Sequence, residues 1–449
     1  MSCIKIKIPT GAGNVLNKLN ERGYEAYVVG GCVRDSILGR EPGDWDITTS
    51  AAPHIVSRIF ERTYDTGIKH GTVTVISDEE AYEVTTYRID GSYEDGRHPV
   101  DVSFTKDINL DLERRDFTMN AIAYHPKGGF VDPFNGKNDI ERCIIQCVGN
   151  PNDRFTEDAL RMLRAIRFSG QLHFKIEIET LAAITTQSRL IEKISKERIR
   201  EELNKLLLSE EPSKLLLMEQ TGLMNYILPE FKNCLETVQN NPYHVYNVGM
   251  HTIKTVESVK KSSVLRWTML LHDIGKPHTK TTDEKGIDHF YGHGEKSVKL
   301  AEKVLRRLKF DNKSIDRILH LIKWHDRPIE PSKKSIRKAI RVLGEDIFSD
   351  WLEVKKADIA GQNPEYLQKR LEQLDEVSLM HKEIVEANEC VSMKDLCVNG
   401  IDLITIGIPQ GKQMGYIMNK LLDRVVDNPD LNQKEILLEI AKELVTKLK

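Results

Sequence analysis

Short apolar runs and long helical stripes divide the chain into two regions. Over residues 23–150, β-rich runs alternate with clusters of Gly, Pro and Asp, a pattern that predicts strands joined by turns. From Arg154 onward, apolar residues recur at three- and four-residue spacing, as in amphipathic helices. The clearest predicted strands are Tyr27–Val29, Gly71–Ile76, Ala81–Tyr87 and Val100–Phe104. The pattern therefore predicts an α+β protein, with an N-terminal α/β head followed by an elongated all-α remainder.

Proline-containing breaks subdivide the helical part. Together with the change from strands to helices, they predict a head, a helical neck, a central helical domain and a helical C-terminal body or tail, at residues 1–150, 151–240, 241–345 and 346–449. We find no internal repeat and no long low-complexity linker. A chain of 449 residues is long enough for several domains that each bury a core of their own.

Composition adds limits rather than a function. Hydrophobic residues make up 40% and charged residues 30%, as in an ordinary soluble globular protein. The seven cysteines show no recurrent paired spacing, which indicates reduced thiols. The N-terminus lacks the apolar core of a signal peptide, and no run of about 18 apolar residues occurs. We therefore expect a cytoplasmic protein without a membrane partner. The net charge of −3 leaves a nucleic-acid partner open.

The strongest chemical signal lies in the segment YVVGGCVRDSILGREPGDWDITTSA. Gly30 and Gly31 end a β-run before a predicted helix, where free N–H groups and the nearby Arg34 suit a triphosphate. Asp44 and Asp46 share one face if they lie in a strand, so their carboxylates converge and repel unless a cation lies between them. A Gly-Gly pair alone indicates a tight turn, and a lone Asp-x-Asp indicates a solvated one. The short distance in sequence between the Gly-Gly pair and the Asp-x-Asp pair favours a Mg²⁺-dependent phosphoryl-transfer site.

A second signal is the stretch EDALRMLRAIRF, which reads as an amphipathic helix. At about 100° per residue, Asp158, Arg161, Arg164 and Arg167 fall along one side. Three arginines so spaced repel one another unless an anion lies nearby, although a charged helix face is usually only solvated. A carboxylate that accepts and a guanidinium that donates match the amino group and ring nitrogen shared by cytosine and adenine. Guanine and uracil would leave buried groups unpaired.

Four motifs occur in order along the chain: GGCVRD with DWD, EVTTYR, LERRDFTMNAIAY and EDALRMLRAIRF. Together they resemble the class II tRNA CCA-adding enzymes and bacterial poly(A) polymerases, whose head is of the polymerase-β type. The resemblance is dense over residues 23–175 and looser afterwards. It implies template-independent addition of CCA to tRNA from CTP and ATP, with release of pyrophosphate, and a C-terminal tail that grips tRNA.

The resemblance also implies roles for single residues. Asp44 and Asp46 would be catalytic Mg²⁺ ligands, and Arg115 would contact the nucleotide. Glu83 is either a third catalytic carboxylate or a strand-edge glutamate. Asp158 and Arg161 would select the base. The full set of expected nucleotide-binding residues is Gly30, Gly31, Arg34, Arg115, Asp158, Arg161, Arg164 and Arg167.

The central region contains histidines and aspartates that resemble the HD phosphohydrolase superfamily. They occur in LLHDIGKP and around it, at His251, His272, Asp273, His293, His325 and Asp326. Imidazole and carboxylate ligands suit a divalent transition metal or Mg²⁺. The expected ligands of such a second metal are His251, His272, Asp273, His293 and Asp326. An inherited but inactive HD fold is the alternative.

Several other functions stay open at this point. A poly(A) polymerase shares the head chemistry, but the long basic C-terminal extension common in that group is absent. Arg88–Lys106 corresponds to the flexible loop that CC-only enzymes largely lack, so CC-only addition is disfavoured while A-only addition stays open. An HD phosphohydrolase with a degenerate head and a pure RNA-binding module are weaker alternatives, because the DWD pair is intact. The oligomeric state is open.

Overall fold

A computed structural model describes residues 5–91 and 102–446, which divide into two compact units, Met1–Pro229 and Glu230–Lys449. The strand predicted at Val100–Phe104 and the predicted flexible loop Arg88–Lys106 lie partly on residues 92–101, outside the described residues. The bounds of the four predicted domains stay predictions.

The first unit contains a seven-stranded mixed sheet with the strand order β3-β4-β5-β2-β1-β8-β9. Strand β4 alternates buried and partly buried residues, so that Val73 and Val75 enter the core. The strands of this unit, including those of two small ladders, are β1 (Ala26–Val29), β2 (Ile47–Thr49), β3 (Thr63–Gly67), β4 (Thr72–Ser77), β5 (Glu80–Thr86), β6 (Arg88–Asp90), β7 (Val102–Phe104), β8 (Ala123–His125), β9 (Gly129–Val131), β10 (Ile144–Ile145) and β11 (Lys175–Ile176).

Strand register places the chemistry at one end of the sheet. Strand β2 runs antiparallel to β1 and parallel to β5, with Ile47 opposite Val84. The segment before β2 is thus held between two neighbours. Of the predicted strands, Tyr27–Val29 corresponds to β1, Gly71–Ile76 to β4 and Ala81–Tyr87 to β5. Strands β2, β3, β8 and β9 were not predicted.

Helices cover the sheet and form the rest of the first unit. They are α1 (Thr10–Glu21), α2 (Gly31–Ile37), α3 (Pro53–Ile59), α4 (Ile108–Glu113), α5 (Gly136–Glu141), α6 (Pro151–Glu157), α7 (Leu160–Leu172), α8 (Ile178–Gln187), α9 (Lys196–Leu207), α10 (Leu216–Gln220) and α11 (Met224–Ile227). Helices α7 and α9 pack together, with Leu163, Ile166 and Leu203 buried.

The stretch EDALRMLRAIRF is two helices rather than the single one predicted. Helix α6 ends at Glu157, and Asp158 has an extended backbone, with φ −141° and ψ 101°. The Asp158 carboxylate then accepts a hydrogen bond from the Leu160 N–H at 3.0 Å, at the start of α7. The prediction of one continuous helix was wrong because the Asp158 side chain bonds to a nearby backbone N–H group, and such bonds compete with continuation of the helix.

The second unit is almost wholly helical, which confirms the predicted fold class of an α/β head with a helical remainder. Its one hairpin, β12 (Thr281–Thr282) with β13 (Asp288–His289), interrupts the helices. The helices are α12 (Pro229–Glu236), α13 (Val248–Ser258), α14 (Ser263–Leu271), α15 (His293–Arg307), α16 (Asn312–Trp324), α17 (Lys333–Leu343), α18 (Glu345–Ala360), α19 (Pro364–Glu386), α20 (Gly400–Thr405), α21 (Lys412–Asp427) and α22 (Lys434–Thr446). Within the described ranges, no helix has the length and apolar character needed to cross a membrane.

Candidate functional sites

The turn between β1 and α2 depends on Gly30. Its φ of +81° and ψ of −127° lie in a region that side chains other than glycine rarely adopt. A Cβ atom at this position would come within 2.8 Å of Nη1 of Arg115. The Gly30 N–H donates to the Ile122 carbonyl at 3.1 Å, which ties the turn to β8. The missing side chain therefore lets the Arg115 guanidinium approach the start of α2.

Asp44 and Asp46 lie in the segment leading into β2, one to three residues before the strand rather than inside it. The Asp46 carbonyl accepts a hydrogen bond from the Val29 N–H at 3.0 Å, which continues the pairing with β1. Because Ile47 is opposite Val84 in the parallel pair, Asp46 is level with Glu83. The register thus brings the predicted carboxylates to one edge of the sheet.

Electrostatics agree with this placement. Burial, followed by the charge of Asp44, raises the pKa of Asp46 to about 6, and Glu83 acts in the same direction. The Arg115 guanidinium opposes that rise. Carboxylates brought this close repel one another, and a cation between them relieves that repulsion. Asp44, Asp46 and Glu83 are therefore suited to hold a divalent metal.

Arg115 is fixed by a residue that the sequence did not single out. Its Nη2 lies 3.7 Å from Oδ2 of Asp111, a fully buried carboxylate. Asp111 also accepts a hydrogen bond from the Thr48 hydroxyl at 3.1 Å, on strand β2. The Arg115 side chain is 18% exposed. A mostly buried guanidinium beside the carboxylates is placed to meet an anionic ligand.

Arg34 is held by protein partners on both sides. Its Nη1 donates to Oδ1 of Asn120 at 2.6 Å, and its Nε and Nη2 donate to Asp35 at 2.9 Å. Asn120 in turn donates to Asp116 at 3.0 Å. Asp116 and Asn120 therefore help to hold Arg34 in place. The predicted phosphate contact of Arg34 stays a prediction.

Asp158 and Arg161 are not paired with each other. Asp158 forms a two-point ion pair with Arg198 of α9, at 2.7 and 3.3 Å. Arg161 donates to Glu157 at 2.6 Å and to the Arg114 carbonyl at 3.0 Å. Arg198 was missed because nothing local in α9 marks it. Both residues are anchored by protein groups, and they belong to the same unit as the carboxylates.

The other two arginines of α7 face carboxylates of the protein. Arg164 forms an ion pair with Asp116 at 2.6 Å, and Arg167 with Glu202 at 2.6 Å. Although burial acts to raise it, the charge of Arg164 holds the pKa of Asp116 well below its usual range. The argument that these arginines need an external anion is therefore wrong, because buried carboxylates already relieve their repulsion.

In the second unit, four histidines share one geometry. Nδ1 of each lies within hydrogen-bond distance of a backbone carbonyl, and since a carbonyl only accepts, Nδ1 carries the proton. The Nε2 atoms are thereby turned toward a common interior, as in protein metal sites. The pairs are His251 with Gly361 at 2.9 Å, His272 with Met269 at 2.6 Å, His293 with Phe290 at 2.8 Å and His325 with Ile322 at 2.7 Å.

These histidines form two groups that share Asp273. His251, His272 and Asp273 place ligand atoms within 4.8 Å of one another, and so do Asp273, His293 and His325. Oδ2 of Asp273 faces the first group, at 3.5 and 3.2 Å from the two Nε2 atoms. Oδ1 faces the second group, at 3.5 and 3.8 Å. Asp273 would therefore offer one carboxylate oxygen to each group.

Asp358 is a further ligand candidate that sequence reasoning missed. Its Oδ1 lies 3.0 Å from Nε2 of His251 and 3.6 Å from Nε2 of His272. The expected ligand Asp326 is not part of either group among the described residues. Asp326 is exposed and lines the cavity, but it lies outside both groups of ligand candidates.

Each histidine pair brings two Nε2 atoms close together, an arrangement that a cation between them would stabilise. Nε2 of His251 and Nε2 of His272 lie 3.3 Å apart, and those of His293 and His325 lie 3.2 Å apart. Burial lowers the pKa of His325 to about 3, so this imidazole is neutral and its Nε2 has a lone pair. In the other pair, although burial acts to lower it, the carboxylates of Asp273 and Asp358 raise the pKa of His272 to about 10. Facing nitrogen lone pairs repel unless a proton or a metal lies between them. Imidazole with carboxylate suits divalent transition metals, so these residues fit such ions.

Comparisons with known proteins cover most of the chain. The family model described as "Poly A polymerase head domain" matches residues 26–146. "Probable RNA and SrmB- binding site of polymerase A" matches residues 173–235. "tRNA nucleotidyltransferase domain 2 putative" matches residues 281–441. The three matched regions follow one another along the chain without overlap.

Individual proteins are similar over part of the chain or over nearly its whole length. The CCA-adding enzyme of Geobacillus thermodenitrificans is 53% identical over 183 residues, 41% of this chain and 45% of that protein. The crystal structure of the Bacillus stearothermophilus CCA-adding enzyme in complex with CTP has a TM-score of 0.72 and 30% identity, covering 97% of this chain and 98% of the other. The CCA-adding enzyme of Enterococcus faecalis is 32% identical over 434 residues, 96% of this chain and 95% of that protein. A relationship of this extent shows that the chain belongs to the family of CCA-adding enzymes.

Proposed function

We propose that this protein builds or repairs the 3′-terminal CCA of tRNA without a template, using CTP and ATP and releasing pyrophosphate. Membership of the CCA-adding family supports this reaction. The observation that carries it is the meeting of Asp44, Asp46 and Glu83 beside Arg115 at one edge of the sheet. A similar protein, from Bacillus stearothermophilus, has been crystallised with CTP.

Asp44 and Asp46 hold Mg²⁺ in this proposal, with Glu83 as the third carboxylate. When bound there, Mg²⁺ would supply positive charge for the attacking 3′-hydroxyl of RNA and for the leaving pyrophosphate. Arg115 supplies positive charge from the Gly30 side, where a Cβ atom would come within 2.8 Å of its Nη1. Each of these residues lies in the first unit.

Asp158 and Arg161 retain hydrogen-bonding capacity for a base. A carboxylate has about four acceptor sites. Within the described residues Asp158 uses three, two for Arg198 and one for Leu160. Arg161 uses three of its five N–H donors, for Arg154, Glu157 and Arg114. The remaining acceptor of Asp158 and the remaining donors of Arg161 are the kinds of group that cytosine and adenine require, and their anchoring by protein groups supports selectivity against guanine and uracil.

The test uses tRNA that ends at the discriminator base, with labelled CTP or ATP and product length read on a gel. We expect C, C and A in order, after which growth stops. Asp46→Asn removes a metal charge and should abolish addition, a loss of about 10³-fold or more. Asp153→Asn, an exposed change in the same unit, serves as the matched control.

The same gel separates the competing activities. Long A tails on unrelated RNA would show that the protein is a poly(A) polymerase and would contradict CCA addition. Extension only of tRNA that already ends in CC would move the protein to the A-adding class. Near-normal addition by the Asp46→Asn variant would remove Asp46 from the metal site.

A second function is favoured by the two ligand groups that share Asp273. We propose that the second unit is a metal-dependent phosphohydrolase that clears blocked RNA ends. Hydrolysis of a terminal 3′-phosphate takes up one water, breaks the bond between phosphorus and the 3′-oxygen, and releases inorganic phosphate and a 3′-hydroxyl. That hydroxyl is the group that nucleotide addition requires. A divalent ion bound there supplies Lewis-acid polarisation of the phosphate.

Metal content tests this proposal without relying on activity. Asp273→Ala removes the shared carboxylate, so the purified variant should retain less Mn²⁺, Ni²⁺ or Fe²⁺ after mild chelation and reloading. Asp326→Ala is the matched control, since Asp326 is exposed and outside both groups. CCA addition should be nearly unchanged in both variants. Equal metal content in wild type and Asp273→Ala would show that the histidines are structural.

A further inference from the structure

Two stacked aromatic rings lie at the cavity of the second unit. The rings of Tyr291 and His289 are nearly parallel, with 8° between their planes and 5.4 Å between their centroids. Nε2 of His289 is bonded to Oδ2 of Asp283 at 3.0 Å, which fixes the inner ring. Tyr291 is 77% exposed, so its other face is open to solvent. We call Tyr291 and His289 the aromatic platform.

The platform and the metal-binding groups belong to the same cavity. The cavity has a volume of about 320 Å³ and is lined by Tyr291 and His289 together with Asp273, His293 and His325. This volume is within the range of small-molecule sites, about 300–1,000 Å³. Gly292, with a φ of +74°, turns the chain sharply between Tyr291 and His293, where α15 begins. The turn thus sets the open ring two residues from a metal-ligand candidate.

Two kinds of group line the cavity. Lys276 is 6% exposed, and its Nζ lies 2.7 Å from Oδ2 of Asp273. Positive charge and metal-ligand candidates therefore meet around Asp273, where a bound divalent ion would attract an anionic phosphate. Tyr291 adds a mostly apolar π-face to the same cavity. A ligand that uses both groups has a phosphate and a flat ring.

We propose that the aromatic platform stacks the nucleobase of the substrate, so that this site takes a nucleoside phosphate or an RNA terminus rather than a base-free phosphate. The inference rests on the phosphohydrolase proposed above. Stacking on an aromatic ring is tolerant of base identity, because every base has a π-face. Tyr291 is accordingly a specificity-determining residue and takes no part in the hydrolytic step.

The experiment compares wild type, Tyr291→Leu and Tyr291→Phe with two probes. Adenosine 3′-monophosphate contains the base, and glycerol 2-phosphate lacks it. Binding to the metal-loaded protein is measured by calorimetry, and phosphate release is measured separately. Tyr416→Leu, which removes another half-exposed tyrosine of the same unit, is the control. Tyr291→Leu should weaken binding of the nucleotide about tenfold or more. Tyr291→Phe retains the ring and should bind as wild type does.

The outcomes distinguish the two proposals. Binding of glycerol 2-phosphate should be the same in every variant, because that probe has nothing to stack. If wild type releases no phosphate from either probe but Tyr291→Leu still weakens nucleotide binding, the hydrolase is wrong and the platform stands. If nucleotide binding is equal in wild type and Tyr291→Leu, or both probes weaken together, the platform does not read a base. Failure of wild type to bind the nucleotide has the same meaning.

Discussion

Replacing Gly30 with alanine tests whether the turn after β1 positions Arg115 for the nucleotide. The backbone conformation at Gly30, with φ +81° and ψ −127°, costs an alanine about 1–3 kcal/mol. The added Cβ also lies 2.8 Å from Nη1 of Arg115, closer than such atoms approach. Since the Arg115 side chain is only 18% exposed, its displacement disturbs the contact with Asp111 as well. Loss of one charge-assisted hydrogen bond to a nucleotide costs about 1.5–3 kcal/mol.

The expected result is a loss of kcat/KM for CTP of about 10- to 100-fold in Gly30→Ala, beyond the effect of lower stability. Gly39→Ala is the matched control. Gly39 has a φ of +69°, but a Cβ there would meet nothing within 4 Å. Urea unfolding measures stability, and single-nucleotide addition to tRNA measures kcat/KM. The reasoning is refuted if both variants, compared at equal folded fraction, add CTP with the same kcat/KM.

Three other predictions concern residues of the first unit. Asp116→Asn breaks a buried ion pair with Arg164 and should lower the free energy of unfolding by about 3–5 kcal/mol in urea titrations. Because the folded pKa of Asp116 is below its unfolded value of about 3.9, its stabilisation is present above that pH and is lost as pH falls; the variant should flatten this acid dependence. Asp158→Ala should weaken discrimination against GTP and UTP more than it weakens triphosphate affinity, whereas Arg34→Ala should do the opposite; equal selectivity profiles would contradict this. Arg198→Met should raise misincorporation about tenfold without loss of fold, since it removes the two-point anchor of Asp158, and unchanged fidelity would show that Leu160 alone holds that carboxylate.

Local patterns predicted the elements whose side chains alternate clearly, but not the short strands. Strand β4 has the period of two that marks a half-buried strand, and it was predicted. Strand β2 has three residues, all buried, and its identity depends on its pairing with β1 and β5. No window of sequence contains that pairing. The break at Asp158 escaped for a related reason, since helical periodicity continues across a residue whose backbone is extended.

The candidate sites show the same division between local and long-range information. Asp44 and Asp46 could be singled out from the sequence because they are two residues apart, a spacing that allows their carboxylates to lie close together. The partners Arg198, Asp111 and Glu202 were not found, although they hold Asp158, Arg115 and Arg167 in place. A wheel shows which side of α7 is charged, but not which buried carboxylate covers it.

The metal-ligand candidates of the second unit show why an expected ligand can be replaced by a distant residue. His272 and Asp273 are adjacent, directly after α14 ends at Leu271, and both place ligand atoms in the first group. Asp326 directly follows His325 in the same way, yet it is exposed. Asp358, about 30 residues further on, lies at 3.0 Å from Nε2 of His251 because α18 packs against α13. Adjacency in sequence to a ligand candidate is therefore a weak guide to a further ligand, whereas the packing of two helices decides which carboxylate reaches the group.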